Sequence, residues 1–124
     1  MDTHAFVWWL TADRRLTARA RSAIENLQTP LYVSSVTAFE IATKVRIGKL
    51  DVAREIADHF ESFVRESGFS ALPVRVNHAL LAGRIGVPHR DPFDRLLAAQ
   101  SIIHDLRVIT ADGAFKAFSV EVVW

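Results

Sequence analysis

The sequence predicts an α/β fold of three layers, α/β/α, with helices packed on both faces of a central parallel sheet. Three observations lead there. Short apolar runs at residues 31–34, 107–110 and 120–124 alternate with longer helical stretches, the pattern of parallel strands joined by helical crossovers. Asp2, Glu40, Asp94 and Asp112 each follow an apolar run or fall in the first turn of the helix after one. In a parallel sheet those positions open onto the carboxyl edge, where such folds place their ligands. No repeat, linker or low-complexity tract interrupts the 124 residues, so residues 1–124 read as one domain.

The elements follow in order. Residues 1–3 read as the last piece of a strand, and residues 4–10 as an aromatic helix. A second helix is expected over about residues 17–27, with Ala20, Ala23, Ile24 and Leu27 as its apolar stripe and Pro30 beyond its end. Residues 31–34 are β-rich, and residues 35–47 form a helix that stops at Gly48. After Asp51, Ala53, Ile56, Ala57, Phe60, Phe63 and Val64 recur at helical spacing as far as Gly68, predicting one continuous helix. A weak strand at 71–74 is interrupted by Pro73, and residues 76–85 are helical. Asp91-Pro92-Phe93-Asp94 opens a buried helix, with Asp91 as N-cap, Pro92 at the first position and Asp94 at the capping-box position.

Half of the residues are hydrophobic and the formal charge is +1, values of a compact globule rather than a disordered or strongly nucleic-acid-like chain. With four of the fourteen acidic residues drawn into a site, fifteen Lys and Arg remain against ten Asp and Glu, a mildly basic exterior. The lack of cysteine excludes disulfides and thiolate metal sites and fits a reducing cytoplasm better than secretion. The opening MDTHAFVWWL carries no basic region and no apolar run of signal or membrane length. Asp2 lies next to the start of the given sequence, and since termini are usually loose it is expected to sit beside a mobile end.

Carboxylates brought from four distant positions to one sheet edge repel each other unless a cation joins them, so the pattern predicts a Mg²⁺ or Mn²⁺ site. Each residue also has an ordinary reading. Asp2 is a solvated terminal residue, Glu40 the partner of Thr37 in a capping box, and Asp112, before Gly113, a turn residue. Asp91 is explained by its N-cap role, which leaves Asp94 as the ligand and Asp91 in the outer shell. Thr3, Ser34, Ser35 and Thr110 lie near the same edge. His4 and His89 have no partner at ligand spacing and read as surface or core residues, and His59, His78 and His104 as structural ones. Arg90, Arg95 and Lys44 are basic residues near the same edge, candidates for holding the backbone of a polyanion.

Four blocks carry a resemblance over essentially the whole chain: Asp2-Thr3-His4-Ala5-Phe6-Val7-Trp8-Trp9-Leu10; Ser34-Ser35-Val36-Thr37-Ala38-Phe39-Glu40-Ile41, running on through Lys44, Arg46 and Gly48-Lys49-Leu50; His89-Arg90-Asp91-Pro92-Phe93-Asp94-Arg95-Leu96-Leu97-Ala98-Ala99-Gln100; and Val108-Ile109-Thr110-Ala111-Asp112 with Phe115. In this order they resemble PIN-domain ribonucleases of the VapC toxin type. The resemblance implies a Mg²⁺- or Mn²⁺-dependent endoribonuclease with Asp2, Glu40, Asp94 and Asp112 as its catalytic and metal-binding quartet. It also implies an RNA substrate, a cognate antitoxin whose tail occupies the acidic groove, and a homodimer.

Two other acidic-edge folds fit poorly. A phosphotransfer receiver domain needs an Asp near residues 70–74 and a Lys after a late strand, and a haloacid-dehalogenase-type phosphatase needs a second Asp two residues after the first; the sequence supplies none of these. The remaining alternative is a catalytically weak PIN-like binding module, whose aromatic helix (Phe6, Trp8, Trp9) and groove capture a partner helix or RNA.

Overall fold

The computed structural model describes residues 1–48 and 53–124. Lys49 and Leu50 of the second block, and the lead-in to the helix expected after Asp51, lie outside the described residues. Asp2 begins the first helix, α1 (Thr3–Leu10), by accepting the Ala5 amide at 2.7 Å, so the residue read as a strand end is also an N-cap. Thr17 caps α2 (Ala18–Glu25) in the same way. That helix ends two residues before Leu27, which is 96% exposed rather than part of the apolar stripe. Strand β1 (Tyr32–Ser34) runs into α3 (Ser35–Arg46), capped by the Ser34 hydroxyl and stopped at Gly48, whose φ of +70° suits glycine. Thr37 is therefore not an N-cap, and the Thr37–Glu40 capping box does not form.

The helix expected up to Gly68 is two helices, α4 (Arg54–Asp58) and α5 (Phe60–Glu66), broken at His59 with φ −122° and ψ 27°. Ile56 and Val64 are both buried across the break, so the apolar spacing carries through while the backbone does not. Strand β2 (Ser70–Leu72), α6 (Val76–Arg84), α7 (Pro92–His104), β3 (Val108–Ile109), a 3-10 turn (Gly113–Phe118) and β4 (Val122–Val123) complete the chain. Asp91 caps α7 as expected, accepting from the Phe93 amide at 2.8 Å, with Pro92 at the first position.

The strands are parallel, as the sequence predicts, but they form two pairs rather than one continuous sheet. Tyr32 lies opposite Ser70 and Ser34 opposite Leu72; Val108 lies opposite Val122 and Ile109 opposite Val123. The start of the chain stands between the pairs. The Met1 amino group donates to the Tyr32 carbonyl at 2.9 Å, and the Asp2 amide donates to the Ile109 carbonyl at 3.0 Å. The expectation of a loose end is therefore corrected: Asp2 is 6% exposed and tied to both strand pairs. Burial pulls the Met1 amino group down to about 6, with the Asp2 charge opposing.

One hydrophobic cluster holds Phe6, Val33, Ile41 and Ile109, and a second holds Val36, Ala98, Phe115 and Phe118. Phe6 is fully buried and meets Phe60 edge-on at 5.4 Å. Trp8 packs against Trp124 and Trp9 against Phe69. Phe6 is thus spent on the core, whereas Trp8 and Trp9 pack against it half-buried.

His78 and His104, which lack acidic companions in the sequence, meet each other. The Arg75 amide donates to His78 Nδ1 at 3.0 Å, which leaves His78 Nε2 to carry the proton towards His104 Nε2, also 3.0 Å away. Burial, followed by the nearness of His104 and Arg75, lowers the His78 pKa. The folded protein therefore holds His78 neutral, while the unfolded chain takes up its proton near pH 6.5. Stability from this group is present above that pH and is lost as pH falls through the lowered folded value. Thermal melts between pH 7.5 and 5 are expected to show a falling Tm, with a shallower slope in His78→Gln; an unchanged slope would contradict this account.

Candidate active site

The four predicted carboxylates reach one place from four elements. Asp2 comes from the N-cap of α1, Glu40 from the middle of α3, Asp94 from the first turn of α7 and Asp112 from the N-cap of the 3-10 turn. Together with Asp91 they line one cavity of about 230 Å³, shared with Thr3, His4, Lys44 and Phe93.

Each of the four carboxylates is engaged by a protein donor. Asp2 accepts from the Thr110 hydroxyl as well as from the Ala5 amide. Glu40 accepts from the Thr3 hydroxyl and pairs with Lys44 Nζ at 2.6 Å, one helical turn on. Asp94 meets His89 Nε2 at 2.7 Å. Asp112 caps the 3-10 turn through the Ala114 amide at 2.8 Å, while its own amide donates to Thr110 Oγ1 at 2.9 Å. Thr110 thus joins Asp2 to the Asp112 loop.

Charge in the cavity is only partly balanced. Burial raises the Asp2 pKa, opposed by its hydrogen bonds to Thr110 and Ala5. Burial also raises the Asp94 pKa; His89 opposes the rise, and the negative charges of Asp91 and Asp112 add to it.

The donor set consists of carboxylate oxygens, which suit a hard divalent cation such as Mg²⁺ or Mn²⁺. The arrangement is not closed around an ion: among the described residues no three His, Cys, Asp or Glu side chains are close enough to hold one. Glu40 is instead paired with the Lys44 ammonium, and Asp94 is hydrogen-bonded to His89.

Comparison with known proteins agrees with this architecture. The PIN domain profile matches residues 1–121.

The chain belongs to the PIN-domain family.

Its three-layer α/β/α class is the one the sequence predicts. The PIN domain is 27% identical over 120 residues to Ribonuclease VapC22 of Mycobacterium tuberculosis (strain ATCC 25618 / H37Rv), covering 94% of this chain and 88% of that protein. No solved structure gives a significant match. Among the described residues no helix is long and apolar enough to cross a membrane.

Sequence reasoning missed one role in this PIN domain, named a second without singling it out, and misassigned a third. His89, read as a surface or core residue, partners Asp94 and stacks edge-on against Phe118 at 5.4 Å. Its spacing of five from Asp94 across a loop carries no periodic signal. Thr110, one of several polar residues near the edge, is the one that bridges Asp2 and Asp112. Arg95, taken as a candidate for the RNA backbone, is turned away from that task. Its guanidinium donates to the carbonyls of Ala82, Ile85, Val87 and His89 at 2.6–3.0 Å. Lys44 lines the cavity but is paired to Glu40, whereas Arg90 is exposed.

Proposed function

We propose that this PIN domain is a Mg²⁺- or Mn²⁺-dependent endoribonuclease, the toxin of a toxin–antitoxin pair, acting in the cytoplasm. The observation that carries the reading is the convergence of Asp2, Glu40, Asp94 and Asp112 on one cavity, in a chain similar to a ribonuclease over nearly its whole length. Asp2, Glu40 and Asp94 are the proposed main ligands, and Asp112 completes the pocket. A divalent cation held there supplies positive charge against the charge developing on a phosphodiester and lowers the pKa of water.

The protein's own part is positional. Thr110 fixes the Asp2 carboxylate, Thr3 fixes Glu40, and His89 holds the Asp94 carboxylate. Lys44, paired with Glu40 in the cavity wall, would be the cation nearest a phosphate oxygen if that carboxylate held the metal. Unpaired RNA segments are the expected substrate, since a duplex hides base edges and limits backbone access. The proposed partners are RNA, a cognate antitoxin and a second copy in a homodimer.

The pairing of Glu40 with Lys44 and the hydrogen bond between His89 and Asp94 favour one second reading, a catalytically weak module that binds without cutting. Incubation with structured RNA, with and without Mn²⁺ and EDTA, separates the two. Cleavage that stops with EDTA and returns with excess Mn²⁺ is expected. Binding with no cleavage at any Mn²⁺ concentration would reject the nuclease.

A further inference from the structure

The rim of the acidic cavity carries an aromatic surface that the carboxylates leave unused. Phe39, one residue before Glu40, is 63% exposed, and among the described residues it is the one exposed aromatic side chain. The ring is not isolated. Phe93, one residue before Asp94, lines the cavity and meets Phe39 with ring centroids 5.6 Å apart and planes at 59°. The two rings thus lead from the cavity wall out to solvent, each beside a carboxylate of the quartet. We propose that Phe39, backed by Phe93, is the stacking platform for an unpaired nucleobase next to the scissile phosphate, and that Arg46 holds a backbone phosphate beyond it.

The rest of the exposed face of α3 selects this occupant. Its exposed residues are Ser35, Phe39, Ala42 and Arg46, spaced by four, three and four so that they fall on one stripe. A partner helix laid on that stripe needs apolar anchors at successive positions, and Phe39 instead has a small residue on either side. One flat ring between small neighbours suits one flat group, because every base offers a π-face for stacking. Arg46 ends the stripe in the last turn of the helix, about 10 Å along the axis from Phe39. At that separation its planar fork serves a phosphate rather than the stacked base. A base paired in a duplex is already stacked between its neighbours, so the platform selects a single-stranded stretch.

The scissile phosphate in this proposal rests on the ribonuclease reading, whereas the stacking itself is measurable without cleavage. The probe is an unstructured hexaribonucleotide carrying 2-aminopurine. Its binding and fluorescence quenching are followed in EDTA with every protein carrying Asp94→Asn, so that nothing is cut and one cavity charge is removed. Cleavage of the same RNA in Mn²⁺, with Asp94 intact, gives kcat and KM.

Phe39→Ala is expected to bind the oligonucleotide about tenfold more weakly and to lose most of the quenching, the scale of one base stacked on an aromatic ring. In Mn²⁺ its KM should rise about tenfold while kcat falls by much less. Phe39→Trp should keep the affinity. Phe39→Leu, apolar but without a flat face, should bind as weakly as Phe39→Ala. Arg46→Gln should lower the slope of log affinity against log salt by about 0.7. The platform is overturned if Phe39→Ala binds and quenches as the parent does, or if Phe39→Leu serves as well as Phe39→Trp. A change of oligomeric state in Phe39→Ala, read by light scattering, would also overturn it, since the ring would then belong to a contact between copies. An unchanged salt slope would overturn the Arg46 contact. Quenching that depends on Phe39 with no cleavage in Mn²⁺ would support the platform while rejecting the nuclease.

Discussion

Asp94→Asn is expected to lower RNA cleavage by a factor on the order of 100 or more, as loss of a charge-stabilising group at a reacting centre does, while the protein stays folded. Asn keeps the shape and an acceptor for His89, which holds Asp94 at 2.7 Å, but loses the charge a hard cation needs. Burial and the neighbouring Asp91 and Asp112 already disfavour that charge in the folded protein. Its removal is therefore expected to leave Tm unchanged or slightly raised. The paired measurement is initial cleavage rate in Mn²⁺ and thermal melting on the same preparation. Full activity would remove Asp94 from the catalytic set, and loss of activity with loss of fold would make its role structural.

Arg95→Met should have the largest effect on stability among the residues near the site. One guanidinium donates to four main-chain carbonyls, at the C-terminal end of α6 (Ala82, Ile85) and in the loop that carries His89 (Val87, His89). Met preserves much of the stem's packing and leaves those acceptors without their charged donor. A loss of about 2–4 kcal/mol is expected from chemical denaturation. Arg95→Lys should recover less than half of it, since an ammonium cannot reproduce the planar fork. Activity should fall further than the folded fraction does, because the loop Arg95 holds presents His89 to Asp94. A loss below 0.5 kcal/mol, roughly that of an ordinary surface substitution, would show that the four contacts do not hold the loop.

These two residues show what the sequence reveals and what it conceals. Asp94 was legible because its signal is local: an N-cap at Asp91, Pro92 behind it and a carboxylate in the first turn all obey short-range rules. The convergence of Asp2, Glu40, Asp94 and Asp112 was legible for a related reason, since strand ends in a parallel sheet share one edge. The side-chain partners were not legible. Arg95 and His89 act across a loop, where partner choice depends on how α6 and the start of α7 pack, and no period records that. The break at His59 escaped because the apolar positions on either side keep helical spacing. Leu27 escaped because apolarity alone was taken for burial, although α2 ends at Glu25. The split of the sheet was partly legible, because residues 1–3 read as only the last piece of a strand, and Met1 and Asp2 make strand-like bonds to both pairs.

The central claim is that these carboxylates act together on one divalent ion, even though Lys44 and His89 engage two of them without it. Mn²⁺ titration by calorimetry on the wild-type chain, Asp2→Asn and Asp94→Asn tests this most directly. Binding to the wild-type chain that weakens at least tenfold in each variant is the predicted result. Equal Mn²⁺ affinity in all three proteins, or none in the wild-type chain, would contradict it.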